Sequence, residues 1–277
     1  MARQYETIAA FESALRAKLH SLASERRTFQ DLRRQVAFGR VLARLQLVAP
    51  DAWLLKGGAA LEYRIELARA TLDIDISTGL NLDRMSELLA ASATASLEDY
   101  FLIAIGERER PVDELETYRF NIAVRYANGR RFEDLKLDVG FADPWLGTPV
   151  EIEVPSLLDF AGIPATTIRT IPGEQQLAEK VHAYTKSYGS NPSSRVKDLV
   201  DMALLLQNGV DLEELRAVLE VIFRMRGTHE IPATLPPPPE AWRVPYARLA
   251  SGLPVPPDLE AGYEFVAGML MPVLASL

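Results

Sequence analysis

The segment 72–77 has the sequence LDIDIS, in which apolar residues alternate with acidic or small polar residues. This two-residue period is typical of a β-strand with one buried face. Because side chains two positions apart on a strand share a face, we expect Asp73 and Asp75 to point the same way. Neighbouring carboxylates repel each other unless a cation lies between them, and Mg²⁺ prefers oxygen ligands. The segment therefore predicts a strand with a magnesium site, although acidic pairs at this spacing are common by chance.

A third acidic residue lies in a similar pattern further along the chain. Asp138 belongs to the segment 135–139, LKLDV, which predicts a second strand that could lie beside the first. Three carboxylates would allow two metal ions, one arriving with a nucleotide and one activating a hydroxyl group. The pattern leaves open whether Asp138 shares the face of Asp73 and Asp75 or points to solvent.

The pair Gly57-Gly58 separates the apolar segment 53–55 from a predicted helix over 59–66. Glycine lets the backbone approach phosphate groups closely, and the N-terminus of a helix adds partial positive charge. A phosphate-binding turn is therefore one interpretation of the pair, and an ordinary tight turn is the other.

The rest of the N-terminal pattern predicts an α/β fold with a mixed sheet and flanking helices. Asn128-Gly129 is a strong signal for a hairpin turn between two of the strands. The predicted helices cover residues 4–22, 28–48, 59–66 and 82–96, and the predicted strands cover 53–55, 72–77, 100–109, 118–126 and 131–141. We expect an N-terminal lobe over residues 1–165, with helices within 4–48 and the sheet core within 50–155.

The pattern after residue 166 predicts a mainly helical C-terminal lobe over 166–277. The expected helices cover 175–188, 195–207 with Ser193 or Ser194 as its cap, a helix capped by Asp211 that runs to about Met225, and 258–274, and we expect a loop over 189–194. The segment 232–257 is rich in proline, so we expect it to run as an extended strap over the surface.

Composition limits the classes of function. The chain of 277 residues has no cysteine and a formal net charge of −8. It can therefore form neither a disulfide nor a thiolate metal site, and its charge argues against non-specific coating of nucleic acid. No apolar run is long enough to cross a membrane and the N-terminus has no secretory pattern, so we expect a cytoplasmic protein without membrane partners.

Arginines are concentrated between residues 26 and 44, despite the acidic total. We expect Arg33, Arg34 and Arg40 to contact the phosphates of an RNA. The alternatives are a solvated helix face, or a second basic group at residues 125–131 that serves RNA instead.

Four blocks of sequence, in this order and spacing, resemble the nucleotidyltransferase toxins of the AbiE type, the toxin components of bacterial toxin–antitoxin pairs that include tRNA-modifying mycobacterial members. The blocks are LKGGAALEYR at 55–64, RATLDID at 69–75, LAEKVHA at 177–183 and RVKDLVD at 195–201. The resemblance covers roughly residues 50–205 and implies the DNA polymerase β-like nucleotidyltransferase fold.

The resemblance also implies roles for individual residues. The metal ligands would be Asp73, Asp75 and, as the third acid, Asp138, and the catalytic residues would be Asp73, Lys180, Asp201 and Thr71. Thr71 stands where relatives have a serine implicated in activity and self-phosphorylation, which leaves its role open. The nucleotide-binding residues would be Lys56, Gly57, Gly58, Arg64, Thr71, Lys180 and Arg226.

The implied activity is magnesium-dependent transfer of a nucleoside monophosphate from a nucleoside triphosphate to an RNA 3′ end, with two Mg²⁺ ions. The implied acceptor is the end of tRNA, where addition would block aminoacylation and translation, and the implied protein partner is a cognate antitoxin. The alternatives are transfer to a protein hydroxyl group, or a module that binds nucleotide or RNA without catalysis.

Overall fold

Seven strands form one mixed sheet in the computed structural model, which describes residues 5–65, 68–109, 117–141, 143–187 and 195–277. The strands are β1 (Trp53–Lys56), β2 (Asp73–Thr78), β3 (Phe101–Arg108), β4 (Thr117–Tyr126), β5 (Arg131–Gly140), β6 (Val150–Val154) and β7 (Thr166–Thr170). Their order is β3-β4-β5-β2-β1-β7-β6. β2 is parallel to β5 and antiparallel to β1, which places it near the middle of the sheet.

The chain divides into two units, each described by itself. The sheet unit comprises Met1–Tyr63, Ala70–Asp143 and Pro149–Thr170, and the helical unit comprises Arg64–Arg69, Pro144–Thr148 and Ile171–Leu277. No helix within the described residues is both long and apolar enough to cross a membrane.

The alternation in β2 follows the prediction from its sequence. Ile74 and Ile76 are fully buried, whereas Asp73 and Asp75 on the other face are half-buried. The isoleucines belong to the same buried hydrophobic cluster as Phe38. The helices of the sheet unit are α1 (Ile8–Leu22), α2 (Phe29–Val48), α3 (Gly57–Arg64) and α4 (Leu82–Thr94). The buried face anchors β2, so the acidic face stays available for chemistry.

The helical unit is built around one central helix. Its helices are α5 (Gly173–Thr185), α6 (Val196–Gln207), α7 (Leu212–Arg226), α8 (Arg243–Ala250) and α9 (Leu259–Leu274). α6 packs against α5, α8 and α9, and all but one of the residues from Val196 to Leu206 are buried. Asp211 caps α7 by accepting hydrogen bonds from two backbone amides, as predicted.

Two regions differ from the expectations. The strands β6 and β7 were not predicted, although VEIEV in β6 has a strand period. The expectation of an extended strap over 232–257 is wrong, because the segment contains a 3-10 turn at Glu240–Trp242 and then α8. Trp242 and Tyr246 are buried, so burial of large aromatic side chains packs this segment into the core. The expected loop over 189–194, with its serine cap, lies outside the described residues.

Candidate functional site

A row of four charged residues crosses four adjacent strands of the sheet. Asp75 pairs in register with Asp138 of β5 on one side and with Lys56 of β1 on the other. Asp138 pairs in turn with Arg119 of β4. Residues paired in register present their side chains on the same face, so the row shares the face of Asp73. The prediction that the strand of Asp138 lies beside that of Asp73 and Asp75 is confirmed.

Both ends of this row have a partner of opposite charge. Arg119 holds Asp138 through two hydrogen bonds, from Nε to Oδ1 at 2.7 Å and from Nη2 to Oδ2 at 2.6 Å. These bonds raise the pKa of Arg119. At the other end Lys56 forms an ion pair with Asp143, whose side chain is 5% exposed. Arg119 and Asp143 were missed in the sequence because their places depend on strand register and on a nonlocal loop contact.

Gly57 brings its backbone directly against the carboxylate of Asp75. It has a φ of +64°, and a Cβ atom at this position would lie 2.1 Å from Asp75 Oδ2. Every other residue type would therefore clash with the carboxylate, besides being strained at this φ. This requirement explains why glycine stands at the junction of β1 and α3.

The donor set at β2 suits a hard divalent cation. Asp73 and Asp75 present carboxylates on one face, and Gly57 places no side chain in front of Asp75. Mg²⁺ is commonly held by one or two carboxylates and completed by water and substrate phosphates. No three His, Asp or Glu side chains within the described residues are grouped closely enough to hold a metal ion. The residues therefore fit a magnesium ion, which the carboxylates of Asp73 and Asp75 would hold.

Thr71 lies two residues before this pair and is 9% exposed. Its backbone amide donates to Glu62 Oε2 at 3.0 Å, and Glu62 also forms an ion pair with Arg27. Burial raises the pKa of Glu62, while Arg27 opposes that shift. The segment that enters β2 is thus tied to α3 through a buried carboxylate.

Lys180 belongs to a buried ionic cluster in the helical unit. Its ammonium lies 2.8 Å from Asp198 Oδ1 and 2.9 Å from Asp201 Oδ2. Burial lowers the pKa of Lys180, but the two carboxylates outweigh burial and the net pKa is raised. Asp201 is completely buried and also accepts two hydrogen bonds from Arg69. Lys180 is therefore cationic, and its side chain keeps 16% of its surface exposed.

Two other arginines predicted to bind nucleotide have protein partners in the helical unit. Arg64 donates to the backbone carbonyl of Ile171 and to the side chain of Gln176. Arg226 lies 3.9 Å from Glu179. A groove of about 820 Å³ in the same unit is lined by residues of α7, of the segment after it and of the C-terminal end of α9 and the residues that follow, and none of the predicted site residues lines it.

The arginines predicted to bind RNA contact other parts of the sheet unit. Arg33 forms an ion pair with Glu133 at 3.0 Å and lies over the ring of Phe132. Arg34 pairs with Asp31 one turn away on α2 at 3.2 Å. Arg40 is 5% exposed and lies 3.6 Å from Asp99. These positions favour structural roles, so we do not propose these residues as the RNA surface.

Comparison with known proteins identifies the family. Residues 40–268 match the nucleotidyl transferase AbiEii toxins of type IV toxin–antitoxin systems, a match that spans most of the chain. The chain belongs to the AbiEii toxin family. The match agrees with the resemblance of the four sequence blocks, and it makes the protein a member of a nucleotidyltransferase toxin family. No curated protein matches this chain.

Solved structures show that this chain has a nucleotidyltransferase fold. MenT4, a nucleotidyltransferase toxin of Mycobacterium tuberculosis, aligns with a TM-score of 0.62 at 14% identity, over 99% of this chain and 91% of MenT4. JHP933 from Helicobacter pylori aligns with a TM-score of 0.51 at 16% identity, over 92% of this chain and 94% of JHP933. At such low identity the likeness concerns the fold.

Proposed function

We propose that this AbiEii toxin uses Mg²⁺ to transfer a nucleoside monophosphate from a nucleoside triphosphate to the 3′ end of an RNA, with tRNA as the acceptor. The observation that carries the proposal is the pair Asp73 and Asp75 on the open face of β2, with the backbone of Gly57 against Asp75. Family membership supports nucleotidyl transfer in general, and the RNA acceptor follows from the resemblance to tRNA-modifying members.

In the sheet unit, Asp73 and Asp75 would hold Mg²⁺, which neutralises charge on the triphosphate when bound. The backbone at Gly57 and Gly58 would lie near the phosphates, and Lys56 would add a cation at the end of the row. Asp138 could hold a second ion only if its two hydrogen bonds with Arg119 were broken, so that its oxygens could bind the metal.

In the helical unit, we assign Lys180 to the phosphates of the nucleotide as a compact point charge. In the reaction, the oxygen of the 3′-terminal hydroxyl forms a bond to the α-phosphorus. The bond from that phosphorus to the oxygen bridging to the β-phosphate breaks, pyrophosphate leaves, and the hydroxyl proton passes to solvent. The protein contributes mainly positioning and charge stabilisation to such a step.

An RNA lengthened in this way ends in the added nucleotide, so the nucleotide that accepts an amino acid is no longer at the 3′ end. We therefore propose that the toxin blocks aminoacylation and translation, and that a cognate antitoxin restrains it in the cell. Family membership in a type IV toxin–antitoxin system supports the antitoxin partner.

The proposal is tested by incubating the protein with each α-labelled nucleoside triphosphate and total tRNA, with Mg²⁺ or with a chelator. We expect labelled tRNA with Mg²⁺ only, and a loss of at least about 100-fold in Asp73→Asn. Asp134→Asn is the matched control. Asp134 shares a face of β5 with Asp138, but it is exposed and forms ion pairs with Arg125 and Arg131. Label on protein instead of RNA would refute the acceptor, and full transfer by Asp73→Asn would refute the site.

A further inference from the structure

Asp201 has no surface from which it could touch a substrate. Its side chain is completely buried, and both of its oxygens accept hydrogen bonds within the protein. Arg69 donates from Nε to Oδ1 at 2.9 Å and from Nη2 to Oδ2 at 2.8 Å, and Lys180 lies 2.9 Å from Oδ2. An effect of Asp201 on transfer must therefore act through one of these two cations.

Lys180 is held with two of its three donors engaged. Its ammonium, which has three donors, donates to Asp198 Oδ1 at 2.8 Å and forms an ion pair with Asp201 Oδ2 at 2.9 Å. Within the described residues no acceptor takes the third N–H. The two carboxylates thus fix the direction of the ammonium and leave one donor for a phosphate oxygen.

The charge of the cluster depends on Arg69. Two carboxylates, Asp198 and Asp201, face a single ammonium, so on their own they would make the group anionic. Arg69 neutralises Asp201, and Arg195 lies 3.4 Å from Asp198. Without Arg69, Lys180 alone would offset the negative charge of Asp201, which would weaken the attraction of Lys180 for phosphate.

We propose that Arg69 is a positioning residue for the phosphate-binding lysine: it neutralises and orients Asp201, which in turn orients Lys180. This inference rests on the proposed nucleotidyl transfer. The planar guanidinium suits the task because its fork occupies both oxygens of the carboxylate at once, which an ammonium cannot do. Arg69 stands four residues before Asp73 in the sequence.

The test is a double-mutant cycle on Arg69 and Asp201. Arg69→Gln leaves Asp201 as an excess charge beside Lys180, and we expect the KM for the nucleoside triphosphate to rise roughly tenfold or more. Arg69→Gln with Asp201→Asn removes both charges, and we expect it to recover most of the lost affinity. Arg69→Lys, which keeps the charge but loses the fork, should lie between wild type and Arg69→Gln. Arg248→Gln replaces an exposed arginine of α8 and is the matched control, for which we expect an unchanged KM.

Binding of inorganic tripolyphosphate, measured by calorimetry on the same variants, separates this inference from the proposed function. We expect the affinity for tripolyphosphate to fall in Arg69→Gln and to recover in the double variant. That result supports the role of Arg69 even if no transfer to RNA is found. If wild type transfers nucleotides but the double variant is no better than Arg69→Gln, Arg69 does not act through Asp201 and the inference is wrong. Should Arg69→Gln fail to fold, Arg69→Lys decides, because unchanged KM and unchanged tripolyphosphate affinity would refute the role.

Discussion

At the scale of single residues, Gly57 is the most demanding position of the site. Gly57→Ala places a methyl group within 2.1 Å of Asp75 Oδ2 and requires a φ of +64° from alanine. We expect a cost of about 1–3 kcal/mol in the free energy of unfolding, together with loss of magnesium-dependent transfer because Asp75 must move. Urea unfolding and the transfer assay measure the two effects.

The control for Gly57 is Gly129→Ala in the hairpin turn. Gly129 has a φ of +85°, but a Cβ atom there would meet no other atom within 4 Å. This variant should therefore show the strain of the backbone without the effect on transfer. If both alanine variants transfer nucleotides equally well, Gly57 is an ordinary turn residue and Asp75 does not depend on it.

At the scale of elements, a chain of hydrogen bonds connects α5 to the segment after α7. His182 Nε2 lies 2.9 Å from Thr228 Oγ1, which lies 2.9 Å from His229 Nδ1, and His229 Nε2 lies 2.8 Å from Thr185 Oγ1. Burial, with Arg226 nearby, lowers the pKa of His182 to about 3, and burial also lowers the pKa of His229. Neutral histidines therefore hold these two elements together.

The pH dependence of stability follows from these pKa values. An unfolded histidine binds a proton below about pH 6.5, whereas folded His182 remains neutral until about pH 3. The contribution of His182 is thus complete above pH 6.5 and is lost as the pH falls towards 3, at up to about 1.4 kcal/mol per pH unit. Urea unfolding at pH 7.5, 6.5 and 5.5 measures the slope, and His182→Asn should flatten it. An equal slope in that variant would contradict the assignment.

At the scale of the whole molecule, a chain of net charge −8 uses arginine for internal ion pairs. Arg40 is buried beside Asp99, and burial lowers the pKa of Arg40. We expect Arg40→Gln to lower the free energy of unfolding by about 2 kcal/mol. It should leave both the affinity for tRNA and its dependence on salt unchanged, since no phosphate contact is lost. If folded Arg40→Gln shows a shallower slope of log affinity against log salt, Arg40 contacts RNA and α2 is an RNA-binding surface.

The sequence by itself determined the elements whose signal is local. The alternation in 72–77 predicts that Asp73 and Asp75 share a face opposite Ile74 and Ile76, because a strand has a period of two wherever it is placed. The four sequence blocks indicated the family, and the family match agrees. The proline-rich segment was misread because proline content describes the backbone, whereas buried Trp242 and Tyr246 decide how that segment packs.

Only the tertiary structure decided which groups surround each charge. Arg119 faces Asp138 because β4 and β5 pair in one register, and a shift of one residue would turn every side chain of the strand to the other face. In the same way, the burial of Asp201 between Arg69 and Lys180 depends on contacts between residues far apart in the chain. Periodicity in a sequence tells which side chains share a face. The partner of each charge is set by the packing of the whole core, which no local pattern encodes.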